Sequence, residues 1–234
     1  MYCCETWLSD NVKQIETVYM AAVKALLNVR IQTRNDVCLV EGGFNSVKKI
    51  INDRRSKLLE KKLTDEDEPL TKVFNMCRIA NTKGYQLLMR TNELKIANSL
   101  ETVKTGINND ANSSKLQTYK RINPTLAVHE VYHPRSNIMI PDYKRSALTK
   151  LRTSSHSLNI ERGRWARVDA DMRFCRCKKN KIENEEHVIL ECELTRDLRR
   201  KYEVVGYTSL NEFFAIHPLE DVVNFTYEVM KVFV

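Results

Sequence analysis

Apolar residues recur at steps of three and four in several stretches of the chain, which is the spacing of one face of an α-helix. The first stretch follows Ser9 and Asp10, which can cap a helix, and we expect this helix to run to about Arg30. Its expected inward residues are Val12, Ile15, Val18, Ala22 and Leu26.

Further helices are predicted by the same spacing. They are expected after Ser46, over about 70–80, more weakly through 94–103, over 143–152, and starting near Asn184, Thr195 and Leu219. In the helix over 70–80, the residues expected to face a core are Leu70, Val73, Phe74, Cys77 and Ile79. The apolar run 37–40 ends at two glycines, and the Pro-containing stretch 123–141 is irregular. The pattern predicts an all-α protein of mainly short helices with irregular connections.

A polar stretch, 108–114, is the best candidate for a linker. We place a boundary there between a helical region, 1–110, and a basic C-terminal region, 111–234. A second break is expected at the acidic run 65–68 before Pro69. Acidic residues just before the start of a helix usually interact favourably with the helix dipole or face solvent, and they rarely bind a metal.

The positive charge of the chain is concentrated in its middle third. The formal net charge is +8, and residues 111–180 contain fifteen Lys and Arg against five Asp and Glu. A local excess of positive charge favours a polyanionic partner, RNA or DNA ahead of an acidic membrane surface. A solvated basic surface without a partner is the alternative.

The cysteines indicate a metal site rather than disulfides. There are seven, an odd number, and no N-terminal stretch has the order of a signal peptide. No apolar run approaches the roughly 18 residues of a membrane span. We therefore expect an intracellular protein, in the nucleus or the cytoplasm, in which clustered cysteines bind metal.

Four of these donor residues have a spacing that suits zinc. Cys175 and Cys177 are separated by one residue, His187 follows after nine more, and Cys192 after another four. Three thiolates and one imidazole form a common structural zinc set. Asn184 can cap a helix that carries His187 in its first turn, and this helix is expected to end or loosen near Cys192. With all four positions taken by protein ligands, the zinc would be structural. Exposed thiols beside a helical histidine are the alternative.

The segment Arg162-Gly163-Arg164-Trp165-Ala166-Arg167 combines guanidinium groups with an indole. Arginine binds phosphate in a bidentate manner, and an aromatic face can stack on an unpaired base. A buried Trp165 merely bordered by arginines is equally compatible with this pattern. The residues predicted to contact nucleic acid are Arg145, Lys150, Arg152, Arg162, Arg164, Trp165 and Arg167.

Motifs of catalysis are missing from the sequence. It contains no Tyr-x-Asp-Asp, no Gly-rich phosphate loop and no Gly-x-Ser-x-Gly. Two-metal nucleotidyl transfer needs clustered carboxylates to hold its cations. We therefore expect a protein that is not an enzyme.

Several segments resemble the C-terminal region of non-LTR (LINE-like) retrotransposon reverse transcriptases. The similar segments are Cys4–Trp7, Asn35–Glu41, Ile122–Pro124, His129–Tyr132, Ile140–Pro141, Lys150–His156, Ile160–Trp165, Arg173–Cys177, Glu185–Val188, Cys192, Leu198–Arg199 and Tyr227–Val229. They extend over nearly the whole chain, and the Ser-Ser-His, Gly-Arg-Trp and Cys/His segments are the specific ones.

The resemblance implies a transposable-element fragment whose polymerase core lies upstream and is absent, so that region 1–110 follows the polymerase like a thumb or connector. The resemblance also implies that this region helps to hold template RNA or target DNA, and the single-spacer cysteine pair is common in that family. The expected function is therefore non-catalytic binding of structural zinc and of RNA or DNA. The alternatives are a helical scaffold that docks against a reverse transcriptase core and a decayed, non-functional fragment.

Overall fold

The computed structural model of the protein describes residues 12–62, 69–132, 139–177 and 180–233. In these ranges the chain forms thirteen α-helices: α1 (Lys13–Leu26), α2 (Asn35–Gly42), α3 (Val47–Lys62), α4 (Pro69–Ile79), α5 (Lys83–Met89), α6 (Thr91–Ala97), α7 (Leu100–Asn109), α8 (Ser114–Ile122), α9 (Asp142–Arg152), α10 (Asn159–Trp165), α11 (Arg196–Lys201), α12 (Leu210–Ile216) and α13 (Leu219–Val232). No strand occurs there, and one isolated antiparallel bridge joins Phe174 to Ile182. The predicted all-α class is confirmed.

Several helix starts follow from capping residues that the sequence displays. The Ser46 hydroxyl accepts a hydrogen bond from the Lys49 N–H at 3.1 Å, as predicted for α3. Helix α13 carries Glu220 and Asp221 in its first turn and Lys231 in its last, which suits the helix dipole at both ends.

The contacts between residues divide the chain into two compact units. One comprises Met1–Ala22 and Phe44–Gly106, and its described part contains a small apolar cluster of Val12, Val47 and Ile51. The other comprises Val23–Gly43 and Ile107–Val234. The boundary predicted near residue 110 separates two regions that are expected to fold on their own. A division by residue contacts does not test independent folding, so this boundary stays a prediction.

The second unit has the larger core. Helices α9 and α13 pack against each other, and Phe213 and Phe225 are fully buried with ring centroids 5.7 Å apart. Burying such a side chain contributes about 1.5–3 kcal/mol. Cys175 and Cys192 belong to the same cluster of buried residues, so the predicted metal ligands lie at the main core of this unit.

Helix α1 ends earlier than predicted and turns a different face inward. Asn28 adopts a left-handed backbone (φ 52°), and the N–H groups of Asn28 and Val29 bond back to the carbonyls of Ala25 and Lys24. This arrangement is a Schellman cap, which stops the helix at Leu26. Leu26 is 68 % exposed, contrary to prediction. Two further corrections concern the same face: Val18 and Ala22 are exposed, whereas Met20, Val23 and Leu27 are buried.

Two other predictions of buried positions need correction. Helix α4 forms as predicted, but Val73 and Ile79 on it are exposed.

The apolar run 37–40 lies in helix α2, of which residues 37–41 are all buried. A helix surrounded by core has no polar face, so periodicity does not reveal it.

Four further short helices, α5, α8, α10 and α12, were not predicted. Three of them have caps that were visible in the sequence: Thr82 accepts from the Tyr85 N–H, Ser113 from the Leu116 N–H and Ser209 from the Glu212 N–H. Helix α10 has no side-chain cap on its N-cap residue Leu158. Its start depends on residues distant in the sequence, so only tertiary contacts could identify it.

Candidate metal centre and the basic surface beside it

The cysteine pair lies on a short loop that the chain closes by backbone hydrogen bonds. Phe174 and Ile182 form the antiparallel bridge, and the Cys175 N–H donates to the Lys181 carbonyl at 2.8 Å. The Glu183 N–H donates to the Arg173 carbonyl at 2.9 Å. The loop therefore presents Cys175 and Cys177 from one end of a small, closed structure of the zinc-knuckle kind.

The other two donors come from a cap and an unusual helical turn. The Asn184 side chain accepts the His187 N–H at 2.8 Å, which confirms the predicted cap. His187–Glu191 is a π-helical turn, in which the Cys192 N–H bonds to the His187 carbonyl five residues back at 2.8 Å. A π turn brings positions i and i+5 together. It therefore places His187 and Cys192, which are five residues apart, on the same side, which a regular α-helix would not do.

The four donor atoms have the spacing of a tetrahedral metal site. They all lie within 4.8 Å of one another. The sulfurs of Cys175 and Cys192 are 3.7 Å apart, and the Cys177 sulfur is 3.3 Å from His187 Nε2. Tetrahedral zinc places two sulfurs roughly 3.8 Å apart, and a sulfur and a nitrogen roughly 3.5 Å apart. A disulfide would need about 2.05 Å. The predicted convergence of these residues is present, and the donor set can hold a metal ion.

Burial controls the protonation of these donors. It raises the pKa of the Cys175 and Cys192 thiols and lowers the pKa of the His187 imidazole. Without a cation, the Cys175 and Cys192 thiols and the His187 imidazole are therefore favoured in their neutral forms. The thiolate is the form that binds metal, so a divalent cation would displace the thiol protons as it binds.

A carboxylate stands on the far side of the histidine ring. Glu191 Oε2 is 3.6 Å from His187 Nδ1, a distance of ion pairing rather than of a good hydrogen bond. Nδ1 is buried and makes no other hydrogen bond in the described part of the chain. Carboxylates commonly orient metal-binding histidines in this way. Lys181 Nζ lies 3.9 Å from Glu191 Oε2, and the neighbouring Lys178 and Lys179 fall outside the described residues.

The loop is attached to helix α10 by its neighbours in the sequence. One carboxylate oxygen of Glu183 accepts the Asn159 N–H at 2.9 Å, and the Glu183 carbonyl accepts the Ile160 N–H at 3.0 Å. Arg173 donates to the Ile160 carbonyl at 2.8 Å and also binds the Val168 carbonyl. The two residues that flank the cysteine loop therefore hold the first turn of α10 and the segment that follows this helix.

Gly163 allows this attachment. A Cβ atom at this position would lie 2.6 Å from Cγ, Cδ and Nε of Arg173. The Arg173 guanidinium is held by two carbonyls, so its middle atoms cannot easily move away. Glycine is required here for close packing, a role that the sequence alone does not show.

Most of the predicted basic residues of this segment are at the surface. Arg162 and Arg167 are exposed, and Trp165 is 51 % exposed rather than buried. Glu161 is buried and pairs with both Arg164 (2.5 Å) and Lys115 (2.7 Å). One buried carboxylate faces two cations, so the surface keeps an excess of positive charge.

Arg30 joins this surface, although the sequence did not indicate it. Its guanidinium carbon lies 3.8 Å from the ring centroid of Trp165, and its N–H donates to the Ser155 hydroxyl at 2.8 Å. Arg30 is 125 residues from Ser155 along the chain. No local motif can report a contact of that range.

Arg152 requires a correction. It is 3 % exposed, and its guanidinium binds both carboxylate oxygens of Glu41, at 2.5 and 3.2 Å. The Tyr119 hydroxyl binds the same carboxylate at 3.0 Å. Arg152 is therefore buried at the end of α9 and paired with a buried carboxylate. It does not belong to a phosphate-binding surface. The other two residues of α9 that were predicted to contact nucleic acid, Arg145 and Lys150, are half-buried. Arg145 pairs with Asp142 at 2.5 Å, and Lys150 lines a pocket.

The Ser-Ser-His segment forms a buried polar cluster. The Ser154 hydroxyl donates to Glu185 at 2.9 Å, and His156 Nε2 lies 2.9 Å from the same oxygen. His156 Nδ1 accepts the Leu158 N–H at 3.2 Å. Nε2 therefore carries the hydrogen that binds Glu185. These residues link the end of α9 to the turn before His187, which is a structural role.

Comparisons with models of known protein families, with curated proteins and with solved structures found no match. Within the described ranges, no helix has both the length and the apolar composition to cross a membrane. The resemblance of the sequence to retrotransposon reverse transcriptases stays a prediction. The chain's own residues carry the functional inference.

Proposed function

We propose that this chain is a zinc-stabilised, helical, nucleic-acid-binding module that performs no catalysis. The observation that supports it best is the attachment of four metal-type donors to an exposed basic helix. Cys175, Cys177, His187 and Cys192 converge at tetrahedral spacing. The residues flanking the cysteine loop bond directly to α10, which carries Arg162 and Trp165. Arg167 follows in the next turn.

Zinc would act here as a structural ion. A bound divalent cation would join the cysteine loop to the π turn through Cys175, Cys177, His187 and Cys192 and would offset two of the three thiolate charges. The chain's residues do the rest: Glu183 caps α10, and the Arg173 side chain crosses Gly163 to bind the carbonyls of Ile160 and Val168. The basic side chains are then presented from a fixed backbone, which lowers the entropy lost when they bind a polyanion.

The surface chemistry suits phosphate groups more than apolar partners. Arg162 and Arg167 are exposed cations, and the nearby carboxylate of Glu161 is buried and already paired. Phosphate contacts by such residues supply most of the sequence-independent affinity for nucleic acid. We assign RNA or DNA as the partner. An origin in the C-terminal region of a non-LTR retrotransposon reverse transcriptase, and an intracellular site in the nucleus or cytoplasm, belong to the same proposal.

The proposal is tested by measuring binding of the full chain to labelled RNA and DNA over a range of salt concentrations. Contact with about five phosphates predicts that log affinity falls against log salt with a slope of roughly −3.5 to −4.5. Charge reversal of two exposed residues, Arg162→Glu with Arg167→Glu, should reduce affinity at low salt by more than about tenfold, because two phosphate contacts become repulsive.

The matched control reverses two exposed charges elsewhere in the same unit, Arg200→Glu with Lys201→Glu on α11. Both double variants have the same net charge. We expect the control to lose much less affinity. Equal losses would show a diffuse charge effect rather than a surface at α10, and an absence of binding to either nucleic acid at low salt contradicts the proposal.

A second candidate function is a helical scaffold that docks against a reverse transcriptase core. It is favoured by exposed apolar residues on one helix of the first unit, α4, namely Val73, Met76 and Ile79. Gel filtration or a pull-down with such a core separates the candidates. Docking should survive charge reversal at Arg162 and Arg167 but fail when Met76 and Ile79 become Asp.

A decayed fragment without function is the third reading. It predicts a chain that is poorly soluble and unfolds without cooperativity. A sharp, reversible urea transition of the purified chain excludes it.

A further inference from the structure

A pocket of about 410 Å³ lies in the second unit, between the turn after α1, helix α9, the Ser-Ser-His turn and the last turns of α13. This size is within the range of small-molecule sites. It is separate from the cysteine and histidine donors. Lys150, one of the residues predicted to contact nucleic acid, lines it.

The charged groups of the pocket wall are cationic. They are Arg30, Lys150 and Lys231, and His156 also lines the wall as a neutral ring whose Nε2 is bound to Glu185. No carboxylate belongs to the described residues of the wall. Lys150 forms no ion pair anywhere in the described ranges, whereas Lys231 lies 3.6 Å from Glu228 at the surface. The pocket is therefore suited to an anionic ligand.

The pocket also offers aromatic surface. The rings of Tyr143 and Tyr227 lie 4.9 Å apart between centroids, and Tyr143 is 55 % exposed. The Lys231 ammonium is 4.4 Å from the centre of the Tyr227 ring. Tyrosine rings at the mouth of a cationic pocket are a common platform for stacking an unpaired base.

Arg30 connects this pocket to the surface of α10. It lines the pocket, and its guanidinium stacks on Trp165 at 3.8 Å. One of its guanidinium nitrogens, Nη1, is buried and has no hydrogen-bond acceptor among the described residues.

We propose that this pocket binds one unpaired nucleotide of a single-stranded nucleic acid. The base stacks on Tyr143, its phosphates contact Lys150 and Arg30, and the strand continues across Trp165 towards Arg162. This inference rests on the proposed nucleic-acid function and deepens it. A duplex cannot place a base in the pocket without unpairing it, so single strands are the preferred partner.

The experiment compares binding of the full chain to a labelled single-stranded 12-mer, in RNA and DNA form, with binding to the matching duplex. Tyr143→Ala should weaken single-strand binding about tenfold, because one stacking contact is lost. Duplex binding should change little, since it depends on phosphate contacts alone. Tyr143→Phe keeps the ring and should bind like the unchanged chain.

A charge arm uses Lys150→Met, with Lys201→Met on α11 as the matched control outside the pocket. Loss of one phosphate contact should make the single-strand salt slope shallower by about 0.7 for Lys150→Met alone. Exposure of Tyr143 and Lys201 makes these changes compatible with folding, and a retained cooperative urea transition verifies it for each variant.

The outcomes separate the pocket from the function on which it rests. If the unchanged chain binds single strands and Tyr143→Ala binds equally well, the pocket proposal is overturned and the proposed function stands. If Tyr143→Ala weakens duplex and single strand alike, the unpaired-base reading is overturned. If the unchanged chain binds no nucleic acid, both fail together.

Discussion

At the scale of single residues, the site depends on contacts that residue type alone does not reveal. Arg173 lies two residues before Cys175, where the sequence alone suggests one more surface cation. Instead its side chain crosses Gly163 and binds the carbonyls of Ile160 and Val168. The same guanidinium chemistry that binds phosphate here binds backbone, so position in the fold decides the role.

Gly163→Ala should lower the free energy of unfolding by about 1–3 kcal/mol, because the new Cβ overlaps a side chain that is held in place. Urea unfolding monitored by circular dichroism measures this. The control is Gly106→Ala in α7, where a Cβ meets no atom within 4 Å. That helical glycine should give a gain of roughly 0.4–1 kcal/mol. A neutral result at Gly163 contradicts the packing described here.

The four metal donors could be predicted from the sequence because cysteine and histidine have few other reasons to cluster. Their geometry was only partly predictable: the cap by Asn184 was expected, and the five-residue step to Cys192 indicated a loosened helix, which the structure resolves as a π turn. The basic surface was harder to predict. Arginine side chains serve phosphate binding and internal ion pairs equally well, so Arg152 was misassigned and Arg30 was missed.

At the scale of elements, a buried ion pair joins two helices of the second unit. Arg152 at the end of α9 binds Glu41 at the end of α2, and both side chains are at most 4 % exposed. Glu41 is followed by Gly42 and by Gly43, which takes a left-handed backbone (φ 68°) to end α2. A Cβ at Gly43 would also lie 2.9 Å from Val128. Helix α2 therefore has one compatible ending, which fixes the position of Glu41.

Removing one partner of this pair should be costly. Arg152→Met leaves the Glu41 carboxylate buried without its cation, and we expect the free energy of unfolding to fall by about 3–5 kcal/mol. Arg145→Met on the same helix is the control. Its partner Asp142 is 89 % exposed, so the loss should be at most about 1 kcal/mol. Similar losses at the two sites would contradict the buried role of Arg152.

The helices themselves were largely predictable where one face is apolar and the other is polar, as in α9 and α13. Prediction failed for helices that are wholly buried or very short. Helix α2 has no polar face, and α10 begins where Glu183, more than twenty residues away, supplies the cap. For these elements the stabilising contacts are tertiary, and a single sequence does not display them.

At the scale of the whole molecule, the second unit combines a conventional apolar core with a metal-type cluster at its edge. The sulfurs of Cys175 and Cys192 belong to the same buried cluster as Phe225 and Val229. Arg176, between the two loop cysteines, binds the Val232 carbonyl and lies over the Phe233 ring at 5.5 Å. Loss of the metal would therefore disturb both the end of α13 and the basic helix α10.

The most direct test of this account is metal analysis of the purified full chain combined with chelation. We expect about one zinc per chain, lost in Cys175→Ser with Cys177→Ser and retained in Cys77→Ser on α4. A strong chelator should lower the melting temperature on the order of 10 °C or more and weaken nucleic-acid binding. A chain that takes up no stoichiometric zinc, and whose melting and binding are the same with and without chelator, contradicts the account.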